Sequence, residues 1–323
     1  MRVVEVIRFG GPEVLVPGSA PDPVAGPGQV VVDVAVASLT FVETQIRRGV
    51  DEWHERPRLP YVPGGLVAGQ VGAVGDGVDR EWLGRRVLAE LGDTGGFAEK
   101  ALAEADELFP VPDGLGLPEA AALFSDGSTA QGLVEGAAIG PGDQVLVEAA
   151  AGGVGSLLVQ LAREAGARVV GAARGDRKLG VLRELGADAV VDYSAPNWAE
   201  QVLEATGGKG PDVVFDGVGG QIGRAAFGVT ARGGRFSVHG ASSGSATEIS
   251  AEEARQRGVE VLGIEQLFDF GPHQRRWAEQ MMAKAAAGTL RPLIGQTFPL
   301  ERAAEAHAAV ENRTAVGKTL ILT

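Results

Sequence analysis

Residues 143–178 read DQVLVEAAAGGVGSLLVQLAREAGARVVGAARGDRK, and few stretches limit a fold as tightly. Residues 144–148 form a short β-branched run with the length of a buried strand. Residues 149–155 are a turn nearly free of side chains. Residues 156–164 carry Leu157, Leu158 and Leu161 at helical spacing, and Gly166 ends that helix. Residues 168–172 are a second strand. Strand, glycine turn, helix and strand within about thirty residues is the βαβ unit that holds a dinucleotide.

The turn has the pattern AxxGxxG at Ala149, Gly152 and Gly155, with Gly153 between them. A pyrophosphate must approach the backbone N–H groups at a helix start, where the helix dipole favours negative charge and side chains would block it. A glycine turn in a glycine-rich chain can also be mere connection. The strand before it, and the helix and strand after it, weigh against that. The end of the second strand selects the cofactor. NAD-binding units place an acid there to bond the ribose 2′-hydroxyl. Here the position is Ala173, followed by Arg174, Gly175, Asp176, Arg177 and Lys178. Arg174 and Lys178 suit a 2′-phosphate, so NADPH is expected over NADH. Arg177 reads as a solvated helix-start residue, and Asp176 as a cap for the helix that follows.

Composition removes other classes. The formal charge of −13 speaks against a nucleic-acid partner, which needs a basic face. There is no cysteine, hence no disulfide, thiol nucleophile or Cys-ligated metal. The opening MRVVEVIRFGG lacks the pattern of a signal peptide. No apolar run has the length to span a bilayer. A cytoplasmic protein is expected.

The N-terminal part is rich in β-structure, with RVVEVIRFG, the alternating QVVVDVAVAS and the glycine-punctuated GGLVAGQVGAVGDGV reading as strands of a partly open barrel. A short helix is expected over 41–48, and further strand over 86–89 and 96–102, with residues 107–111 leading into another Pro/Gly turn. Beyond Pro118 helical and strand patterns alternate. The expected fold class is α/β: a Rossmann doubly wound parallel sheet over 123–265, inserted in a β-rich domain of residues 1–122 and 266–323.

The order of these segments is similar to that of the medium-chain dehydrogenase/reductase superfamily. Within it, the chain resembles the zinc-free NADPH:quinone oxidoreductases. IRFGGPEVL, PGGLVAGQVGAVG, GGFAEKAL, LPEAAALF, AAAGGVGSLLVQLA, ELGADAVVDY, GGKGPDVVFDGVGG, GGRFSVHG and VGKTLIL carry the likeness over nearly the whole length. It implies a GroES-like catalytic domain, a Rossmann domain and a cleft where hydride leaves the nicotinamide. It places Ala151, Gly152, Gly153 and Val154 at the pyrophosphate. Arg174, Lys178 and Tyr193 fall at the 2′-phosphate and adenosine. Thr129, Gly217, His239, Gly240, Leu267 and Phe268 fall near the nicotinamide, and Lys318 is a basic residue near the cofactor. A homodimer is implied, with residues 259–265 as an edge strand open to a second copy.

Zinc is not expected. Zinc-containing relatives carry GHE where this chain reads Gly64, Gly65 and Leu66, and the four histidines (His54, His239, His273, His307) are widely separated. Three departures bear on the substrate. Thr40 stands in place of an Asn and Gln45 in place of a Tyr, and Gln131 replaces a common aromatic. With Thr129, Thr40 and Gln45 are the candidate catalytic residues. The expected reaction is hydride transfer from NADPH to a quinone or other conjugated carbonyl. An enoyl-thioester or enone reductase of a biosynthetic pathway stays open. So does an NADPH-binding structural or sensor protein with little turnover.

Overall fold

The structure is a computed structural model that describes residues 1–323. Its contacts divide the chain into two compact units, Met1–Phe124 with Met282–Thr323, and Ser125–Met281.

The first unit is the GroES-like β-rich part. β1 (Arg2–Val6) pairs antiparallel with β2 (Leu15–Ser19). The central strand is β3 (Gln29–Leu39), whose apolar residues Val30, Val32, Val34 and Ala37 fill the core. The short helix α1 (Phe41–Arg48) follows, as its pattern predicts. β4 (Leu66–Val74) pairs with β3 through two irregularities in register, and it continues to β5 (Arg86–Glu90). Gly69 lies at that bend, where a Cβ would collide with the Asp33 carbonyl oxygen. β6 (Lys100–Glu104) and β7 (Leu108–Pro110) complete the N-terminal part. β6 starts later than the 96–102 run implied. The helix α2 (Leu117–Ala137) then runs through the unit boundary.

The second unit carries a six-stranded, all-parallel sheet. Its elements are β8 (Gln144–Val147), α3 (Gly153–Glu164), β9 (Arg168–Ala173), α4 (Asp176–Glu184), β10 (Ala189–Asp192) and α5 (Trp198–Ala205). They continue with β11 (Val213–Asp216), α6 (Gly220–Val229), β12 (Arg235–Val238), α7 (Ala251–Arg257) and β13 (Glu260–Leu262). The strand order is β10-β9-β8-β11-β12-β13. It reverses between β8 and β11, and a doubly wound sheet binds its ligand at the carboxyl ends of the strands there. Val145, Leu146 and Val147 are fully buried, as a strand covered on both faces requires. Trp198 and Val202 of α5 and Ala226 and Phe227 of α6 pack on Leu146, Val170, Val214 and Phe236.

The second unit extends past 265. Residues 266–281, expected in the β-rich part, cluster with the parallel sheet. The physical reason is packing on α2 by α8 (Gly271–Ala286). A Cβ on Gly132 would lie 2.6 Å from Trp277 and 2.8 Å from Phe270, and one on Gly127 would lie 3.1 Å from Met281. The first unit closes with β14 (Ile294–Pro299), α9 (Ala303–Glu311) and β15 (Lys318–Leu322). β15 pairs parallel with β14 and antiparallel with β3.

Candidate active site

Three clusters of the predicted residues form at the carboxyl ends of the parallel strands. The first is the turn between β8 and α3. Ala149, the position of the usual first glycine, has a left-handed φ of 47°. An alanine there costs about 1 kcal/mol or more. Gly152 is the N-cap of α3, and its N–H donates to the Ala149 carbonyl at 2.8 Å. A Cβ on Gly155 would lie 2.5 Å from the Ala149 oxygen and 2.7 Å from Ala150 Cα, so only glycine lets the helix start this close to the strand. Ala151 is buried, while Gly152, Gly153 and Val154 are half-buried on the same turn. The first turn of α3 contains no acid of its own. Backbone N–H groups, a helix dipole and absent side chains together form a cradle that fits a pyrophosphate.

The second cluster stands at β9 and β10. Arg174 is exposed just past β9, and Lys178 is half-buried in the first turn of α4. Tyr193 follows β10, and its N–H donates to the Ala173 carbonyl at 3.3 Å. All three therefore share one edge. Asp192 holds the corner, accepting from Gly175 N at 3.0 Å and from Ser194 N at 2.8 Å. Burial pushes the Asp192 carboxyl up. Bonds from Ser194 and Gly175 and the charge of Arg174 outweigh it and hold the group below its ordinary value. Asp176 is not the cap of α4. The N-cap is Gly175, at φ 84°, and Asp176 is the first helical residue, where its charge still complements the dipole.

The third cluster joins β8, β11 and β12. His239 N donates to the Asp216 carbonyl at 2.8 Å, and a Cβ on Gly240 would lie 2.8 Å from the Gly217 oxygen. A Cβ on Gly217 would lie 2.8 Å from His239 Nε2, so Gly217, His239 and Gly240 are mutual neighbours. Burial pushes the His239 imidazole down to about 4, and its Nδ1 has no hydrogen-bond partner. Asp216 accepts from Val218 N at 2.9 Å, from Gly219 N at 2.7 Å and from the Thr247 hydroxyl. Glu148 is fully buried beside it, with neither carboxyl oxygen in hydrogen-bond geometry. Burial, and then the charge of Asp216, push the Glu148 carboxyl well up.

Leu267 and Phe268 lie in a 3₁₀ turn (Ile264–Phe270), with Phe268 exposed. The neighbouring Gln266 anchors that turn. Its Nε2 donates to the carbonyls of Val238 at 2.8 Å and Gly263 at 3.0 Å, and its Oε1 accepts from Ser237 Oγ at 3.2 Å. Thr129 is half-buried on α2, and Gln131 on the same helix donates to Glu135 at 3.2 Å.

Thr40, Gln45 and Lys318 belong to the first unit. Thr40 is the N-cap of α1 in a capping box with Glu43. Glu43 Oε2 accepts from Thr40 N at 2.6 Å and Thr40 Oγ1 at 3.0 Å, and Oε1 accepts from Gly65 N at 3.2 Å. Burial raises the Glu43 carboxyl, while the Thr40 bonds and the nearby charge of Lys318 oppose that rise. Lys318 is itself buried at the start of β15. Gln45 Nε2 donates to Thr44 Oγ1 at 2.9 Å. Glu43 was not among the expected site residues, although the Thr-x-x-Glu spacing is a capping-box signature. Glu148 and Gln266 carried no comparable signal. No group of three His, Cys, Asp or Glu side chains is placed to hold a metal ion.

Comparison with known proteins gives the same architecture. Residues 26–113 match the family described as alcohol dehydrogenase GroES-like domain, and residues 153–286 match zinc-binding dehydrogenase. The chain is 31% identical over 325 residues to human quinone oxidoreductase, covering 100% of this chain and 98% of the relative. It is 32% identical to a 2-haloacrylate reductase of a Burkholderia species, covering 98% and 97%. The crystal structure of Escherichia coli quinone oxidoreductase complexed with NADPH superposes with a TM-score of 0.90 at 28% identity, covering all of both chains. The chain therefore belongs to the medium-chain dehydrogenase/reductase family of oxidoreductases, alongside the quinone oxidoreductases.

Proposed function

We propose that this enzyme uses NADPH to reduce a quinone or another conjugated carbonyl acceptor without zinc. The observation that carries the reading is the β8–α3 cradle standing beside an edge with Arg174 and Lys178 and no acid at position 173. Full-length similarity to quinone oxidoreductases supports the acceptor class. Ala151, Gly152, Gly153 and Val154 would hold the pyrophosphate. Arg174, Lys178 and Tyr193 would hold the 2′-phosphate and adenosine. Thr129, Gly217, His239, Gly240, Leu267 and Phe268 would border the nicotinamide.

NADPH supplies the hydride when bound. The protein's part is to orient the two reactants and to stabilise charge on the acceptor oxygen. His239 is neutral, so it offers shape and a ring nitrogen rather than a positive charge. Thr40 and Gln45 are the assigned acceptor-side donors. The Thr40 hydroxyl donates to Glu43, so it reaches an acceptor only by turning away from that carboxylate. Lys318 is assigned, as expected, to the cofactor as a nearby basic residue, and its charge is also felt at Glu43. A zinc step does not fit the residues present. The chain has no cysteine, and positions 64–66 are Gly, Gly and Leu.

A second reading is reduction of an activated C=C bond, favoured by the likeness to the 2-haloacrylate reductase. Loss of NADPH absorbance is followed with a benzoquinone, a phenanthrenequinone, an enone, a crotonyl thioester and a haloacrylate, with NADH as control. Quinone turnover with NADPH supports the main reading. Turnover confined to the enone, thioester or haloacrylate replaces it with alkene reduction. Tight NADPH binding without turnover of any acceptor favours a binding or sensor role. β13 is the last strand of its sheet, and we assign its open edge to pairing with a second copy. A monomer-only sedimentation profile at micromolar concentration removes the homodimer.

A further inference from the structure

We propose that Asp126 acts as a built-in competitor for the pyrophosphate and so sets the enzyme's affinity for its dinucleotide. The inference rests on the NADPH assignment.

Asp126 lies on α2, and its carboxylate stands in front of Gly153, the first helical residue of α3. A Cβ added to Gly153 would overlap Asp126 Oδ2 outright and lie 2.9 Å from Asp126 Cγ. Gly153 thus has no side chain for two reasons: the anion cradle, and the room taken by a carboxylate from another helix. The residues flanking Asp126 make local contacts. Gly127 packs on Met281, and Ser128 Oγ donates to the Ser125 carbonyl at 3.1 Å.

α3 is a twelve-residue helix capped by Gly152, with no acid in its first turn. Its positive end is therefore complemented from outside, and in this structure the nearest negative group at Gly153 is Asp126. A pyrophosphate needs the same helix end and carries like charge. Binding must turn the Asp126 side chain away or bear the repulsion at short range. Either cost lowers affinity for any ligand with a pyrophosphate. It does not touch a ligand that carries only the adenosine 2′-phosphate, which is assigned to the edge at Arg174 and Lys178.

The test is equilibrium binding of NADPH and of adenosine 2′-monophosphate to the full-length wild type, Asp126→Asn and Asp126→Ser, by titration calorimetry. Both variants should bind NADPH at least about fivefold more tightly, the factor expected for one relieved like-charge contact in a partly hydrated site. Adenosine 2′-monophosphate should change by less than about twofold, and the NADPH gain should shrink in high salt. Unchanged or weaker NADPH binding in both folded variants overturns the proposal. Equal tightening of both ligands also overturns it, because the effect would then not belong to the pyrophosphate. If no protein binds either ligand, the NADPH assignment itself fails. If wild type alone fails to bind NADPH while the variants bind it, the competitor role is supported in its strongest form. Circular dichroism and thermal unfolding identify a variant that has not folded, and the other substitution then carries the test.

Discussion

Glu43 Oε2 accepts two bonds from one residue, the backbone N–H of Thr40 at 2.6 Å and its hydroxyl at 3.0 Å. The pair closes the start of α1 and fixes the rotamer of a residue assigned to the acceptor. Thr40→Ala should cost about 1 kcal/mol of stability, the usual worth of an N-cap. Glu43→Ala should cost more, about 2–3 kcal/mol, since it strands the donors of Thr40 and Gly65. Urea unfolding measures both. Equal stability of wild type and Glu43→Ala would show that water replaces the carboxylate without loss.

Arg174→Ala and Lys178→Ala should each weaken NADPH binding about tenfold and leave NADH nearly unchanged, as expected for loss of one charge-assisted bond to a phosphate. The double variant should bind the two cofactors alike. Loss of NADH binding to the same degree would place these side chains away from the 2′-phosphate.

Glu148 gives a pH-dependent stability. The folded pKa of Glu148 is raised by burial and by the charge of Asp216. Its contribution is therefore fully present below the unfolded value of about 4.3 and is lost as pH rises through the folded pKa. Glu148→Gln should be more stable than wild type above neutral pH, by about 1–3 kcal/mol, with the advantage fading toward acid. A constant difference across pH would mean that Glu148 does not titrate in the unfolding transition.

The buried histidines act in the opposite direction. Burial pushes His239 down to about 4, and burial with the charge of Arg47 pushes His307 down to about 3. Both contributions are present above the unfolded value of about 6.5 and are lost as pH falls toward the folded values. At about pH 5 each neutral histidine costs about 2 kcal/mol relative to the protonated unfolded chain. His307→Gln should flatten the acid limb of the stability curve, measured by urea unfolding at a series of pH values. His307 packs edge-on against Phe97 at 5.7 Å, so a small overall loss from packing is expected as well.

Arg47 is fully buried and meets Glu311 at 2.5 Å, joining α1 to α9. Glu311→Gln should cost about 3–5 kcal/mol, because it leaves a buried guanidinium without its counter-charge. Arg47→Met in the Glu311→Gln background should recover most of that loss. If it does not, the arginine's value lies in its own contacts rather than in the pair.

Most strands and helices announce themselves in the sequence through periodicity and glycine punctuation, and β8, α3 and β9 fall within a few residues of their expected places. α6 does not. Its run GQIGRAAFGV holds three glycines that depress helix propensity. Gly223 is required because a Cβ there would collide with Thr247 and Asp216, a contact made only by the folded sheet. α7 is short and polar, with no apolar stripe to betray it. The glycine turn after β8 and the basic edge at Arg174, the two places proposed for the cofactor, stand out in the sequence because each pattern is local in the chain. Glu148 and Asp126 do not. Each meets its important neighbour across residues distant in sequence, and neither position has a pattern that marks it.

The parallel sheet is built from one continuous stretch, 125–281, whereas β3 waits for β15, and Thr323 N donates to the Ala35 carbonyl at 3.4 Å. During synthesis the unit of residues 125–281 can therefore be complete while the other unit still has an open strand edge. β3 is made early, yet its pairing with β15 must wait for residues 319–322. A chain cut short before Lys318 would leave a finished dinucleotide unit tethered to an unfinished partner, and aggregation should begin at β3.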